Sequence, residues 1–329
     1  MGKKFKAKRA AVQFARDNVQ GLQEGRAREQ YVEVHAPEAA SDAGLDRHLL
    51  YQQAVQSPKG DISYLLSFYR QYIGSKRPEH LREDFCGTAL ICAVWCRGDR
   101  PRPEQSGDAE VDIAGMGPGT DPEGGSTGSL RAKPADIVCA MNFSVCLLHR
   151  RDEVQLYFSR VRRAISCEGG VFVMDLLGGH AAEAAVRMPR HNAVTGAAFV
   201  WEQERFDPVT RRIFCYISLR DPASRQVLWR AFRYHWRLWT HPELREMLLA
   251  AGFDDVRVWL RPMADANAAG SGNSSGSGSG SDPGDADFAE YVPAGGDAMD
   301  AAALARLARG WTAFVVGVVA PRRAGEVEP

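Results

Sequence analysis

The run Leu81-Arg82-Glu83-Asp84-Phe85-Cys86-Gly87-Thr88-Ala89 is the first place where this chain could do chemistry. Leu81–Phe85 reads as a short strand, Gly87 permits a tight turn, and Thr88–Cys96 is apolar at helical spacing. Strand, turn and helix in that order open a nucleotide-type α/β fold, where the turn brings backbone close to a ligand. Gly87 and Thr88 then stand in the turn, with Glu83 in the strand before it. A second place is Asn142-Phe143, which closes the buried strand candidate Ala135–Phe143. A polar residue at the carboxyl end of a strand sits where open α/β sheets bind ligands, which singles out Asn142. Phe143 reads equally as core.

Other chemistries lack their residues. The cysteines are 86, 92, 96, 139, 146, 167 and 215, an odd number lying mostly in apolar stretches, which reads as reduced, buried thiols. Cys86, Cys92 and Cys96 have no CxxC knuckle and no paired histidines, so no metal site is expected. His180, His191, His235 and His241 are scattered and read as structural. A Ser-His-Asp or Cys-His pattern is absent from the sequence. Lys+Arg and Asp+Glu both number 41, so net charge gives no general pull toward nucleic acid or membrane.

These residues need elements to hold them. Residues 43–75 read as two helices broken at Ser57-Pro58-Lys59-Gly60. Glu153–Ile165 is a helix with Val154, Tyr157, Phe158 and Val161 in one stripe, and Gly169-Gly170 resembles its C-terminal cap. Val171–Leu177 is a buried strand. Helices alternating with apolar strands predict a mostly parallel sheet covered on both faces. Ala198–Arg205, Arg211–Leu219 and Val227–Trp236 then alternate apolar and polar residues, an antiparallel meander inserted over residues 198–239. His241–Ala251 is a helix with Thr240 as N-cap, followed by strands Phe253–Leu260 and Thr312–Val319. Residues 97–134 are loop-like and 264–287 a flexible Gly/Ser linker.

The run from Glu83 to Ala89 resembles the acid-x-Gly-Cys-Gly-Thr-Gly turn of class I S-adenosylmethionine-dependent methyltransferases, with Phe85 and Ala89 in place of two glycines. Pro134-Ala135-Asp136-Ile137-Val138 with Asn142-Phe143 resembles that family's fourth strand. Glu168 to Asp175 resembles its next helix-Gly-Gly-strand, and Leu244 to Val258 its last helix and sixth strand. Trp311–Val319 is similar to the seventh strand, which in the family runs antiparallel to the rest. Tyr51-Gln52-x-Ala54-Val55-Gln56, the Leu81–Ala89 run, Asn142-Phe143-Ser144, Trp201-Glu202-Gln203 and Tyr234-x-Trp236-Arg237-Leu238-Trp239 together resemble a methyltransferase group of bacteria, algae and plants. The resemblance implies an α/β, Rossmann-like, mostly parallel sheet with an antiparallel last strand and an antiparallel β insertion, over residues 43–320. The family's second strand would fall in 97–134, where it is degenerate or missing. Val111-Asp112-Ile113 is its one remnant.

The resemblance implies S-adenosyl-L-methionine as cofactor, held by Glu83, Gly87, Thr88, Asn142, Phe143 and, as ribose ligand, Asp112. Methyl transfer is an in-line displacement that needs alignment and dry surroundings rather than a protein nucleophile. Tyr51 and Gln56 would cap the site from the N-terminal helices. Trp201, Tyr234, Trp236 and Trp239 would shape the acceptor pocket, or else simply pack the sheet. A small-molecule acceptor is expected. The Asn/Asp-Pro-Pro-aromatic motif of base-amino methylation is absent, because Phe143-Ser144 follow Asn142. A catalytically degenerate binding module is the alternative if residues 97–134 leave no ribose site. Lys3, Lys4, Lys6, Lys8, Arg9 and Arg16 all precede the first acid, Asp17, in a basic and partly helical extension over residues 1–42. It reads as a solvated helix, an RNA-touching or nuclear-type arm, or an organelle address. No run is long and apolar enough to span a bilayer, so a cytoplasmic protein is expected, with nuclear or organellar placement as alternatives. Residues 321–329 form a tail.

Overall fold

The computed structural model describes residues 45–97, 133–192, 195–262, 288–290 and 301–321. In chain order the elements begin with α1 (Arg47–Ala54), α2 (Pro58–Tyr72), β1 (Leu81–Glu83), α3 (Leu90–Arg97), β2 (Ile137–Ala140), α4 (Arg151–Ala164) and β3 (Gly170–Gly178). There follow α5 (His180–Glu183), β4 (Val186–His191), β5 (Ala198–Asp207), β6 (Arg212–Arg220), β7 (Val227–Arg237) and α6 (His241–Ala250). β8 (Asp255–Pro262), β9 (Ala289–Glu290), α7 (Ala301–Arg309) and β10 (Trp311–Val319) complete the described chain.

The main sheet has the order β1-β2-β3-β10-β8-β9. β1, β2 and β3 pair in parallel. β10 lies antiparallel between β3 and β8, so β8 runs with the first three strands. The antiparallel last strand and the mostly parallel sheet are therefore as expected. Alternation along the strands divides the core in two. Val138, Ala140, Phe172, Met174 and Val315 face Val154, Phe158 and Val161 of α4 and Leu244, Met247 and Leu248 of α6. Ile137, Cys139, Val171, Val173 and Val316 face the other way, toward Leu65 and Phe68 of α2 and Ile91 and Trp95 of α3. Burial on both faces explains why these strands read as unbroken apolar runs.

The second sheet is antiparallel, in the order β4-β5-β6-β7. β4 is an addition to the predicted three-strand meander. Arg187, Pro189 and Arg190 hid it, because an edge strand tolerates Pro and charge. α1 covers part of one face, where Leu50 and Ala54 meet Ile217 and Leu219. Gly169-Gly170 is not the cap of α4. Ile165 ends that helix with extended backbone, and Gly170 is needed where β3 passes close to the Asp136 carbonyl. Thr240 is the N-cap of α6, in a reciprocal capping box with Glu243. The predicted N-terminal helix, Asp112, and nearly all of the 97–134 loop and the 264–287 linker lie outside the described residues. Among the described residues no helix is long and apolar enough to cross a membrane.

Gly178 ends β3 directly opposite Trp311 of β10, and a Cβ there would stand inside the indole ring. Gly178→Ala should therefore push Trp311 out of place and cost about 1–3 kcal/mol. Urea unfolding measures this, and an unchanged midpoint would show that the ring moves aside freely.

Candidate functional site

The turn after β1 keeps a glycine-like path without three glycines. Phe85, Gly87 and Ala89 all have positive φ, at 56°, 54° and 53°. The strain at Phe85 is offset by contacts around it. Phe85 lies edge-on against Tyr157, with ring centroids 5.4 Å apart. Tyr157 donates from its hydroxyl to Asp84 Oδ2 at 2.9 Å, and Arg82 Nε donates to Asp84 Oδ1 at 2.6 Å. Glu83 closes the other side by accepting the Cys92 amide at 3.1 Å, which satisfies one of the free donors that open α3. Burial pushes Glu83 above the usual carboxylate range, and the amides of Cys92 and Ile91 pull it back. Gln52 of α1 donates to Thr88 Oγ1 at 2.5 Å, tying the helix to the turn.

The tip of β2 is held in the same strained way. Asn142 and Phe143 have φ of 61° and 58°. Asp175 of β3 accepts the Phe143 amide at 2.6 Å, and the Asn142 amide also bonds to it. Burial raises Asp175 to about 7 against those two donors. Asp61 of α2 is also raised to about 7, first by burial and then by the Glu83 charge.

A cavity of about 230 Å³ opens between these two tips and the second sheet. Its floor is Glu83–Thr88 with Met141, Asn142 and Ser144. Its far wall is aromatic: Tyr51 and His48 from α1, and Phe232, Tyr234 and Trp236 from β7. Tyr51 and Tyr234 share a hydrogen bond, and burial raises both phenols. Trp236 stacks obliquely on Tyr234 at 4.9 Å and on Trp201 at 5.4 Å. Two polar atoms of cavity-lining side chains are buried without a partner, Gln56 Oε1 and Trp236 Nε1. An unmade hydrogen bond at each costs about 1–3 kcal/mol, which a bound molecule would recover.

No family model matches this chain, and no curated protein matches it significantly. Solved structures similar to it include DesVI of Streptomyces venezuelae, 15% identical over 65% of this chain and 91% of that one, with a TM-score of 0.43. An S-adenosylmethionine-dependent methyltransferase of Clostridium acetobutylicum is 12% identical over 82% of this chain and 96% of that one, with a TM-score of 0.40. The CcbJ methyltransferase of Streptomyces caelestis is 14% identical over 57% of this chain, which spans only 59% of that one, with a TM-score of 0.33. At these TM-scores the likenesses assign neither activity nor acceptor to this chain.

Of the residues singled out from sequence, Glu83, Gly87, Thr88, Asn142, Tyr51, Gln56, Tyr234 and Trp236 line the cavity together. Phe143 and Trp201 stand behind the wall, packed against the core, with Phe143 5.7 Å from Trp236. Trp239 is buried and donates to the Leu148 carbonyl at 2.9 Å. His48, Phe232 and Asp175 were missed. Phe232 had a signal, since it shares a strand face with Tyr234 and Trp236 at spacing two. Asp175 had one too, as a carboxylate inside an apolar strand that needs donors to remain there. Cys86 lines the cavity, but burial pushes its thiol up, the wrong direction for a nucleophilic thiolate.

Ala89→Gly should stabilise the chain by about 0.5–1 kcal/mol, because the left-handed penalty of about 1–2 kcal/mol exceeds the entropic cost of glycine. Thermal unfolding tests this, and a lower midpoint would mean that the Ala89 methyl group makes a contact worth more than the strain. Asp61 gives a pH signature. The unfolded chain ionises it above its ordinary 3.8, whereas the folded chain keeps it protonated up to about 7. Folding takes up a proton between those values, so stability falls as pH rises through that window. Between about pH 5 and pH 8 the wild type should lose about 2 kcal/mol more stability than Asp61→Asn. Equal losses would show Asp61 to be ionised in the folded chain.

Proposed function

We propose that this chain is a class I S-adenosyl-L-methionine-dependent methyltransferase acting on a small-molecule acceptor. The carrying observation is the left-handed trio Phe85, Gly87 and Ala89 beneath a cavity at the carboxyl ends of β1 and β2. That is where open α/β sheets receive ligands. The antiparallel β10 between β3 and β8 supports the same reading. The cavity also suits a small acceptor. It is enclosed by side chains from α1 and β7, and its volume falls below the roughly 300–1,000 Å³ of sites that take up a whole drug-sized ligand. On this reading the described residues serve the methionine end of the cofactor and the methyl group, while the proposed ribose ligand Asp112 lies outside them.

When bound, the cofactor supplies an electrophilic methyl group on a sulfonium. The chain's own work is to align the acceptor and exclude water. Gly87 leaves open space above the turn, since a Cβ there would meet nothing within 4 Å. Asn142 lines the same cavity. Tyr51, Phe232, Tyr234 and Trp236 make the dry wall, and the Tyr51–Tyr234 bond holds α1 against β7. A cationic sulfonium also gains from facing aromatic rings.

The test is calorimetric titration with S-adenosyl-L-methionine and S-adenosylhomocysteine, using Gly87→Asp as the control. Gly87→Asp has room for its side chain and aspartate tolerates positive φ, so the variant should fold with a modest loss of stability, yet place a carboxylate where the cofactor enters. Saturable binding by the wild type and none by the variant is expected. No binding by a folded wild-type chain would reduce the protein to a methyltransferase-like scaffold.

A further inference from the structure

The outer face of the second sheet differs from the inner one. Ile213, Cys215, Ile217 and Leu219 of β6 are buried, so Arg212, Phe214 and Tyr216 between them point outward. The register places His235 of β7 and Arg205 of β5 beside Phe214, and Arg233 beside Tyr216. The rings and guanidinium groups form layers. Phe214 and His235 stack at 4.2 Å with an interplanar angle of 11°. Arg205 lies 4.4 Å from the Phe214 centroid and Arg230 lies 3.8 Å from that of Tyr216. Trp229, 43% exposed, is flanked by Arg187 and Arg230.

The charge of this face is one-sided. Glu202 pairs with Arg187 and Arg230, and Glu204 pairs with Arg230. Arg205 and Arg233 are exposed and form no ion pair among the described residues. The positive field is visible at His235, which burial first, and then His149, Arg212 and Arg205, hold below the usual imidazole value. Its ring is packed in place, stacked on Phe214 and edge-on against His149 with centroids 4.6 Å apart.

We propose that this face binds a single strand of nucleic acid, with phosphates on Arg205 and Arg233 and bases stacked on the planes around Phe214, Tyr216 and Trp229. Aromatic and guanidinium planes both stack unpaired bases, and interleaved cations follow the backbone. Phe214 and Tyr216 are about 6.8 Å apart along their strand, room for separate bases. A second copy of the chain is a poor occupant, because the same face would oppose its own unpaired arginines. The surface lies on the side of the sheet away from the cavity wall.

The test uses the full chain and a fluorescein-labelled oligo-uridine of about twelve nucleotides, by anisotropy between about 50 and 200 mM salt. Saturable binding that weakens with salt is expected. Arg205→Glu with Arg233→Glu should weaken it at least tenfold and lower the salt slope by about 1.4, two contacts at about 0.7 each for a single strand. Phe214→Ala should weaken it about tenfold with little change in slope. A chain with Lys3, Lys4, Lys6, Lys8 and Arg9 all changed to alanine should keep the binding that the double charge reversal removes. Thermal melts confirm that each variant is folded. The proposal fails if the wild type does not bind. It also fails if only the amino-terminal changes abolish binding, or if a duplex of equal length binds as tightly. Self-association of the chain that the double charge reversal abolishes would likewise overturn it and assign the face to a second copy.

Discussion

The Asp175 carboxylate, inside an otherwise apolar strand, is the constraint on which the site depends. Burying a carboxylate is costly unless amides meet it, and the two that do belong to Asn142 and Phe143. Their bonds fix the β2 tip in a left-handed conformation that Asn142 tolerates and Phe143 does not favour. The consequences run outward from there. Asn142 is presented to the cavity, and Phe143 is turned back against Trp236. Trp236 in turn stacks on Trp201 and Tyr234. One buried carboxylate thus sets where the aromatic wall of the second sheet stands relative to the first.

The β1 turn reaches a comparable end by different means. Glycine would adopt the left-handed path at no steric cost, but Phe85 adopts it through surrounding contacts and Ala89 within a turn closed by its amide on the Cys86 carbonyl at 2.8 Å. Tyr157 and Asp84 form a brace under Phe85, and Glu83 anchors the first turn of α3. The acid at the end of β1 is therefore partly engaged in holding its own helix. What the turn offers a ligand is shape, namely the open space over Gly87, more than free negative charge.

Much of this was legible in the sequence, for identifiable reasons. The buried strands announced themselves as apolar runs because both of their faces are covered, and Thr240 as N-cap marked the start of α6. The cavity residues on the β1 turn and β7 were visible as a motif and as a period-two aromatic face. Three things were not. β4 carries arginines and a proline, which blur the strand signal at a sheet edge. Gly169-Gly170 suggested a helix cap, but the local pattern could not reveal that Gly170 is demanded by the neighbouring Asp136 carbonyl. His48, Asp61 and Asp175 matter through contacts that span 184 positions (His48 to Phe232), 22 (Asp61 to Glu83) and 32 (Asp175 to Phe143), and no local pattern links such partners.

The second sheet shows how a period of two lets one element serve two surfaces. Along β7, Phe232, Tyr234 and Trp236 face inward and form an uncharged wall, while Arg233 and His235 between them face outward. A one-residue slip in register would exchange these sets and put a guanidinium into the cavity. Register is therefore the property that the sheet most needs to defend. The bulges at Gln203/Arg205 and Ile217/Leu219 are placed accordingly. The first re-aims Arg205 onto Phe214 of the outer face, and the second ends the regular ladder next to Arg230, whose amide is taken up by Ser218 Oγ at 3.0 Å. Between the two bulges the pairing is regular, and that stretch carries both Tyr234 of the cavity wall and the outward Tyr216–Arg233 pair.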